Sequence, residues 1–489
     1  MILRCMTKWL QTRNVFVVIL VVGLFVLAAR NVTDPDVWWH LHTGRLIIEN
    51  HKLFHADPYS FTRAGQPWVD HEWLSQILIF SLYRAAGWAG LVTGFAALTA
   101  FIFLLLFLRS PGRPYVAGGM AALGAIASLP SLGVRPQMFT LLLASVFLGI
   151  LEHSYQRPKL LWWMLPTMLL WVNLHAGYAL GIGLIAVFWL GDALDYIFGN
   201  RESMQSAVRF RNLAVVGLGC VVIVPLNPYG IEMYRYPLAT LHSRTMLSYI
   251  GEWSSPDFHE GRYLPFLFMM LLTLLLPGVC SRRLRPRELL LLAVMMYAAL
   301  RSVRHIPIYV LVAVPLISAM VQAVVQEKGK AGLFEQSKSL TPIKLTANAM
   351  LLGSFLIFTG FRVEQVIQHQ AEAEAKEFPS AAVAFLANAC PSAPVMNHYN
   401  WGGYFIWKLY PEYKVYIDGR ADVYGDSFMD EFASTYYVKG ASWRIPLQQW
   451  GLRTIVLPPD APLVTALSDE PGWERVFSDR LAVVLTRSQ

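Results

Sequence analysis

The stretch most informative about the fold is NVFVVILVVGLFVLAARNVTDPDVWWHLHTG, residues 14–44. Residues 15–29 form an unbroken apolar run, and two aspartates, Asp34 and Asp36, follow it closely. The apolar run is followed by Arg30 and not by a small-residue cleavage site, so we interpret it as an anchoring transmembrane helix and not as a removable signal. The aspartates are then expected at a membrane surface.

The composition extends this interpretation to the whole chain. Of 489 residues, 55% are hydrophobic and only 15% are charged, whereas a soluble domain carries about 25% charged residues. The formal net charge of +8 comes from basic residues scattered over short loops, which argues against a nucleic-acid partner. We therefore expect a mostly α-helical, polytopic membrane protein, because a helix of about 20 apolar residues spans a bilayer.

Eleven apolar runs predict about eleven transmembrane helices within residues 1–361, which we take as the transmembrane domain. The runs lie near 14–29, 89–108, 114–133, 136–152, 160–174, 177–198, 212–226, 263–280, 288–300, 306–325 and 345–361. Two long polar segments interrupt them. We call residues 30–88 the first polar segment and residues 227–262 the second polar segment.

The distribution of Lys and Arg predicts the orientation. One set of connecting segments holds 18 of these residues in 60 positions, a density about threefold higher than in the opposite set. Cytoplasmic loops carry such an excess. The N-terminus is therefore predicted in the cytoplasm and residues 362–489 outside, in a bacterial inner membrane, with membrane lipids as partners.

Two helices are predicted in the first polar segment, both along the membrane surface. The first begins at Asp34-Pro35, a helix cap followed by proline at the first helical position. The second runs from about His71 to Arg84. Because both helices follow or precede an apolar run directly, their polar residues are expected at the same face of the membrane.

Residues 362–489 are predicted to form a small extracytoplasmic α/β domain. A helix near 380–388 leads to strands near 394–397, 414–418, 453–457 and 482–486. The loops after the first two strands are rich in Gly, Asn, Asp and Tyr, as functional loops often are. We expect substrate contacts from Asn400, Trp401 and Asp422. Asp418 and Arg420 form either an internal salt bridge or a further contact with a sugar or an acceptor.

Acidic residues of the first polar segment are the candidate catalytic groups. Asp34 and Asp36 could serve as a general base or hold a divalent metal, Mg²⁺ or Mn²⁺. The alternative is that Asp34 only caps the helix and Asp36 only interacts with the helix dipole. A second acidic cluster contains Asp70 and Glu72, and it too is either catalytic or only a helix start.

Basic residues near the same predicted face are candidates for binding a phosphate, because an arginine fork matches phosphate geometry. They are Arg135, Arg301, Arg304 and His305. The alternative is that their side chains only reach the membrane interface. His175, together with Asn173, joins two apolar runs at the same level, where it either lines the site or satisfies turn backbone. Trp38 and His40 are expected substrate contacts beside Asp36.

A family resemblance rests on these residues. Asp36-x-Trp38-Trp39-His40-Leu41 resembles the start of the first outer loop of oligosaccharyltransferase catalytic subunits, which belong to the GT-C superfamily of glycosyltransferases. There the aspartate binds the catalytic metal beside a lipid-linked donor, and the resemblance implies that role for Asp36. Residues 57–65 look like the continuation of that loop. Residues 397–404 are similar in placement to the acceptor-recognising Trp-Trp-Asp-Tyr-Gly motif, and residues 476–484 to a closing strand pair.

The chain also departs from the oligosaccharyltransferase pattern. The turn Arg135-Pro-Gln137 lacks the second acidic pair, and Trp401-Gly402 is not the full pentapeptide. Transfer of a glycan to asparagine is therefore not implied. The chain looks more like one of the uncharacterised bacterial GT-C relatives.

The resemblance implies transfer of a sugar from a polyprenyl-phosphate- or diphosphate-linked donor to a protein, lipid or glycan acceptor at the outer face. Two other classes of function stay open. A transporter or flippase is expected to have charged residues in the middle of its spans and a pair of interrupted helices. Here the clear acids inside an apolar run are Asp192 and Asp195, which lie near the end of that run. A non-catalytic assembly protein would keep the architecture without the chemistry.

Overall fold

The computed structural model describes residues 10–197, 207–329, 341–389 and 391–488. Within these residues the chain forms twenty α-helices and four β-strands. The predicted fold class, mostly α-helical with a small α/β part at the C-terminal end, is therefore confirmed.

The helices up to residue 368 contain the apolar runs. They are α1 Thr12–Ala28, α2 Val37–Asn50, α3 Trp73–Arg109, α4 Pro114–Ser128, α5 Gln137–His153, α6 Met164–Leu174, α7 Tyr178–Ile197, α8 Ala207–Ile223, α9 Glu232–His242, α10 Arg244–Tyr249, α11 Leu264–Leu275, α12 Pro286–Arg301, α13 Ile306–Glu327 and α14 Pro342–Gln368. Short 3₁₀ turns extend several of them, and each predicted apolar run falls on such a helical segment.

Six helical segments in the described part of the chain are long and apolar enough to cross a membrane by length and composition. They are Trp73–Arg109, Tyr178–Ile197, Val208–Leu226, Gly261–Gly278, Val303–Glu327 and Pro342–Gln368. The apolar helices α1 and α5 have 17 residues each and are shorter. The chain is thus a multi-pass membrane protein, as predicted.

Helix α3 combines a predicted surface helix with a predicted span. Its backbone leaves helical geometry at Ala86 and Gly87, where the glycine has a φ of 56°. A left-handed φ suits glycine because it has no Cβ. The break separates the residues that start at Trp73 from the apolar run 89–108, so the two predicted helices are confirmed as distinct parts of one element.

The C-terminal part surrounds one sheet with helices. Its elements are α15 Gln370–Glu377, α16 Ser380–Ala389, β1 Val395–Asn397, α17 Gly402–Leu409, α18 Ala421–Tyr436, α19 Ile445–Gln449, β2 Thr454–Leu457, α20 Pro462–Ser468, β3 Trp473–Ser478 and β4 Val483–Arg487. The strand order is β1-β2-β4-β3. β1 and β2 are parallel, while β4 runs antiparallel to both β2 and β3.

The predicted strand at 414–418 is wrong. Val415 makes only an isolated bridge with Ser60 of the first polar segment. The reason is a competing side chain, since the Asn397 amide accepts the Tyr416 N–H at 2.9 Å and donates to the Ile417 carbonyl at 2.7 Å. The backbone of this segment therefore pairs with a side chain and not with the sheet.

Aromatic packing joins the first polar segment to the C-terminal part. Trp38 on α2 is fully buried, with its ring 4.8 Å from that of Tyr404 on α17 and 5.3 Å from that of Phe378. Gly403 allows this contact, because a Cβ there would lie 2.6 Å from the Pro35 carbonyl oxygen. Trp38, predicted as a substrate contact, thus lies in the core between the two parts.

Candidate active site

A short turn presents the two aspartates before α2. The Asp34 carboxylate accepts the Asp36 N–H at 2.9 Å, and its carbonyl accepts the Val37 N–H. The other carboxylate oxygen accepts a hydrogen bond from Arg135. Both oxygens of Asp34 therefore stabilise local structure, and the regular helix begins at Val37, a little later than predicted.

The Asp36 carboxylate lies between the first polar segment and the C-terminal part. Its Oδ1 accepts the Trp39 indole N–H at 3.2 Å. A Cβ on Gly419 would lie 1.9 Å from the same oxygen, so only glycine at that position lets the 418–420 segment come so close. Burial raises the pKa of Asp36 to about 6, against the Trp39 hydrogen bond, and the nearby Glu72 charge raises it further while Arg304 opposes the rise.

Three histidines from different segments surround the Glu72 carboxylate. His40 on α2 places Nε2 3.7 Å from Oε2, while the Nε2 atoms of His71 and His175 lie 3.3 Å from Oε1. Burial by itself would raise the pKa of Glu72, but the charge and hydrogen bond of His71, with the other two rings, hold it well below its ordinary value. Glu72 is thus a buried, ionised carboxylate.

Hydrogen bonds fix the tautomer of His175. Its Nδ1 accepts the Gly177 N–H at 2.8 Å and lies 3.0 Å from the Thr140 hydroxyl. Burial lowers the pKa of His175 to about 3, so the ring is neutral. A neutral imidazole carries one proton, and with Nδ1 accepting, that proton must be on Nε2. The Nε2–H therefore points to Glu72.

The ligand atoms of His71, Glu72 and His175 lie within 4.8 Å of one another, close enough to hold a metal ion. Two imidazoles and a carboxylate are common ligands for zinc. A metal on His175 Nε2 would, however, need the ring proton on Nδ1, where the Gly177 N–H already donates. The three side chains therefore fit a hydrogen-bonded cluster better than a metal site. Asp36, the predicted metal ligand, is not part of this group.

Tyr236 and Asp422 are further neighbours of His71 in this cluster. The Tyr236 ring lies 4.0 Å from the His71 ring. Burial raises the pKa of Asp422, and His71 opposes that rise more strongly than any other neighbour. Tyr236 was not predicted as a site residue. The tyrosine-rich stretch of the second polar segment, Tyr229 to Tyr236, was the signal that could have indicated it.

The predicted phosphate-binding residues differ in how their charges are balanced. Arg135 donates to the carboxylates of both Asp34 and Glu252. Arg304 instead donates to the neutral Gln137 amide at 2.8 Å and lies over the Trp253 ring, and it pairs with no carboxylate of a described residue. The Arg304 charge also lowers the pKa values of Asp36 and His175, so it acts on the candidate site.

The two remaining basic residues of the predicted group are Arg301 and His305. Arg301 is exposed at the end of α12. His305 directs Nδ1 to the Ala298 carbonyl at 3.3 Å and packs against Trp253.

Asp70 is buried next to the His71 and Glu72 cluster. Its side chain is 1% exposed and accepts the Gln76 amide N–H at 2.6 Å. Burial raises the pKa of Asp70 to about 7. Its Oδ2 has no hydrogen-bond partner among the described residues, and a buried carboxyl without partners is more stable in the neutral form.

Arg420 joins the first polar segment to the C-terminal part through a buried ion-pair group. Its guanidinium contacts the Asp57 carboxylate at 2.8 Å and the Asp418 carboxylate at 2.6 Å, and all three side chains are at most 1% exposed. The ring faces of Tyr59 and Trp68 lie against the guanidinium. Of the two predicted roles for Asp418 and Arg420, the structure shows the internal salt bridge.

The predicted substrate contacts Asn400 and Trp401 line a cavity next to the site, which Pro35 also lines. Fold and site together define a multi-pass membrane protein whose polar site is assembled from the first polar segment, the ends of several membrane helices and the C-terminal part.

Comparison with known proteins identifies this fold. No protein-family model matches the chain, and no curated protein matches it. The apo oligosaccharyltransferase of Archaeoglobus fulgidus matches with a TM-score of 0.56 at 11% identity, over 92% of this chain and 70% of that protein. AglB of the same organism, solved with an inhibitory peptide and a dolichol-phosphate, gives 0.56 at 12% identity, over 90% and 69%.

ArnT from Cupriavidus metallidurans, bound to undecaprenyl phosphate, gives a lower TM-score of 0.45 at 14% identity, over 96% of this chain and 97% of that protein. The two oligosaccharyltransferase matches confirm the fold resemblance that was predicted from residues 36–41. Likeness at these identities establishes the fold, and the chemistry has to be argued from the site.

Proposed function

We propose that this protein is a glycosyltransferase that moves a sugar from a polyprenyl-phosphate- or diphosphate-linked donor to an acceptor at the outer face of the membrane. The observation that carries the proposal is the Asp36 carboxylate, buried at the junction of two polar parts with a pKa of about 6. A general base works best when its pKa lies near the operating pH. The resemblance of residues 36–41 to a loop that acts on lipid-linked sugars supports the choice of donor.

In the proposed reaction the acceptor oxygen or nitrogen attacks the anomeric carbon of the donor sugar. The new bond forms there as the bond between that carbon and the phosphate oxygen breaks. Asp36 takes the proton of the attacking group, and the lipid phosphate or diphosphate leaves with its negative charge. Burial, with a smaller contribution from the ionised Glu72, keeps the pKa of Asp36 raised so that it can accept a proton.

Arg304 is the proposed partner of the leaving phosphate. Arg304 forms no ion pair with a carboxylate of the described residues, whereas Arg135 pairs with two. A guanidinium aimed at developing negative charge stabilises the transition state more than the ground state. A divalent metal, Mg²⁺ or Mn²⁺, would be held by Asp36, as the family resemblance implies, and would supply positive charge to the phosphate. The cluster around Glu72 fits a hydrogen-bonded arrangement better than a metal site.

Substitution of Asp36 tests the proposal. Asp36→Asn is expected to abolish sugar transfer, since the amide cannot accept the proton. Asp36→Glu should also lose about 100-fold in rate, because the added methylene moves the carboxylate by about 1 Å. Glu49→Gln is the control and should retain activity, because Glu49 is an exposed acid on α2, the helix that follows Asp36. Transfer is measured as label moved from a synthetic polyprenyl-phosphate sugar to membrane acceptors. Activity of the Asn variant near the wild-type level would remove Asp36 from catalysis.

The pH dependence gives a second readout of the same substitution. As a base, Asp36 must be ionised, so the transfer rate should fall as pH drops through about 6. Its folded pKa is raised, so its contribution to stability is complete below about pH 4 and is lost as pH rises through about 6. Asp36→Asn should therefore have a higher free energy of unfolding than wild type at pH 8, by about 3 kcal/mol at most, and an equal one at pH 4.

A further inference from the structure

A cavity lies beside the candidate site, where the C-terminal part meets the residues just before α2. It has a volume of about 330 Å³ and is lined in part by Pro35, the residue that precedes Asp36. Pockets that bind small ligands start at about 300 Å³. The cavity is thus large enough for one small ligand group, and the chain connects its wall directly to the proposed base.

The topology of the sheet explains why loops converge on this cavity. β1 and β2 are parallel, so the residues after both strands, 398–401 and 458–460, lie at the same edge of the sheet. β4 is antiparallel to β2, so the residues that precede it, 480–481, lie at that edge too. Open sheets bind ligands outside the carboxyl ends of parallel strands.

The polar side chains of the cavity have unused hydrogen-bonding capacity. Glu377, Asp460 and Arg480 line it, and none of them forms an ion pair with another residue of the described ranges. Nδ1 of His398 is buried and lacks a hydrogen-bond partner within those same ranges. A buried polar atom without a partner is costly, so a bound ligand group that completes it would be favoured.

The chemistry of the lining selects the ligand. Two carboxylates and one guanidinium give a net charge of −1, which disfavours a phosphate. Carboxylates only accept hydrogen bonds and guanidinium only donates them, while a hydroxyl does both. Trp401 and the prolines 458 and 459 add an apolar wall to this polar set. A neutral, hydroxyl-rich ligand with an apolar ring face meets all of these groups, and a sugar ring has that composition.

A peptide fits the same place less well. One recurring way in which proteins bind an extended peptide is to add it as a strand to a free sheet edge. β1 is the edge strand next to the cavity, and the 415–418 segment is held against it by the Asn397 side chain. Recognition here must therefore rely on side chains, which suits a sugar.

We propose that this cavity is a sugar-binding subsite that holds a residue of a glycan acceptor next to Asp36. The inference rests on the proposed function and narrows it, since it assigns the acceptor to glycans and not to peptides. Asp460 and Arg480 bind the sugar hydroxyls, and Trp401 contacts the ring face.

Direct binding tests the subsite without depending on catalysis. The protein is reconstituted in lipid nanodiscs free of glycoside detergent and titrated calorimetrically with chitotetraose, cellotetraose and mannotetraose. At least one of these sugars should bind. Asp460→Ala and Arg480→Ala should each weaken that binding about tenfold, the loss of one hydrogen bond to a charged group. Asp469→Ala, an exposed aspartate that does not line the cavity, is the matched control and should bind as wild type does.

The outcomes separate the subsite from the proposed function. The subsite is wrong if no tetrasaccharide binds, if the two alanine variants bind as wild type does, or if a seven-residue peptide rich in Ser, Thr and Asn binds in a way that depends on Asp460. Asp36→Asn should leave sugar binding unchanged while it abolishes transfer. Sugar binding without any transfer by the wild-type protein would instead contradict the proposed function and leave the subsite standing.

Discussion

Single residues near one another in the chain have different roles here, and their surroundings decide which. Asp34 and Asp36 are two positions apart, yet the first holds a turn and pairs with Arg135, while the second meets the 418–420 segment. The same holds for Asp70 and Glu72. Glu72 is ionised among three histidines, whereas burial outweighs the nearby His71 charge and raises the pKa of Asp70 to about 7. The sequence favoured Asp36 over Asp34 through its match to a metal-binding aspartate, but it did not separate Asp70 from Glu72.

The difference between Arg304 and the other arginines leads to a prediction at the same scale. Arg304→Ala should weaken binding of a polyprenyl phosphate about tenfold, because a charge-assisted hydrogen bond contributes about 1.5–3 kcal/mol. Arg262→Ala is the control, since this exposed arginine pairs with Glu260. Binding is measured by native mass spectrometry with thermal stability recorded in parallel. Equal affinities of the two variants would show that Arg304 does not hold the phosphate.

At the scale of elements, the site depends on how the first polar segment is held against the C-terminal part. Helix α2 carries His40 and begins directly after Asp36, and α17 packs on it through Gly403. The Arg420 group fastens the remainder of the segment through Asp57. These contacts join residues more than 350 positions apart in sequence, so each side of the site is positioned by a part of the chain that local patterns do not reach.

Breaking the Arg420 group should therefore loosen the first polar segment. Arg420→Ala leaves Asp57 and Asp418 buried without their partner, a change that typically costs about 3–5 kcal/mol. Arg444→Ala is the matched control, because its pair with Glu470 is half-exposed and such pairs contribute at most about 1 kcal/mol. We expect a clearly lower melting temperature and faster proteolysis within residues 52–70 for Arg420→Ala alone. Similar behaviour of the two variants would contradict the role of Arg420.

At the scale of the whole molecule, the orientation in the membrane remains a prediction from the Lys and Arg distribution. The two polar segments, the C-terminal part and Arg304 assemble into one site, so all of them must lie on the same side of the membrane. A single orientation therefore decides whether the proposed donor is used outside or inside the cell.

A pair of fusions tests the orientation. A reporter that is active only in the cytoplasm, fused after Gln489, should be silent, because the density of basic residues places that end outside. The same reporter inserted after Arg157, in a basic connecting segment, should be active and serves as the control. An active reporter after Gln489 would reverse the orientation and place the site on the cytoplasmic side.

Local sequence patterns were sufficient to predict the membrane class, the helices that contain the apolar runs, the two helices of the first polar segment and most strands of the sheet. Apolar runs and turn residues act locally, so a linear pattern can report them. Only the tertiary structure decided which polar groups meet. It brought His40, His71 and His175 to Glu72, placed Trp38 in the core, and replaced the expected strand at 414–418 with contacts to Asn397. Such groups come from distant segments, and their protonation depends on burial and neighbours that no spacing along the chain records.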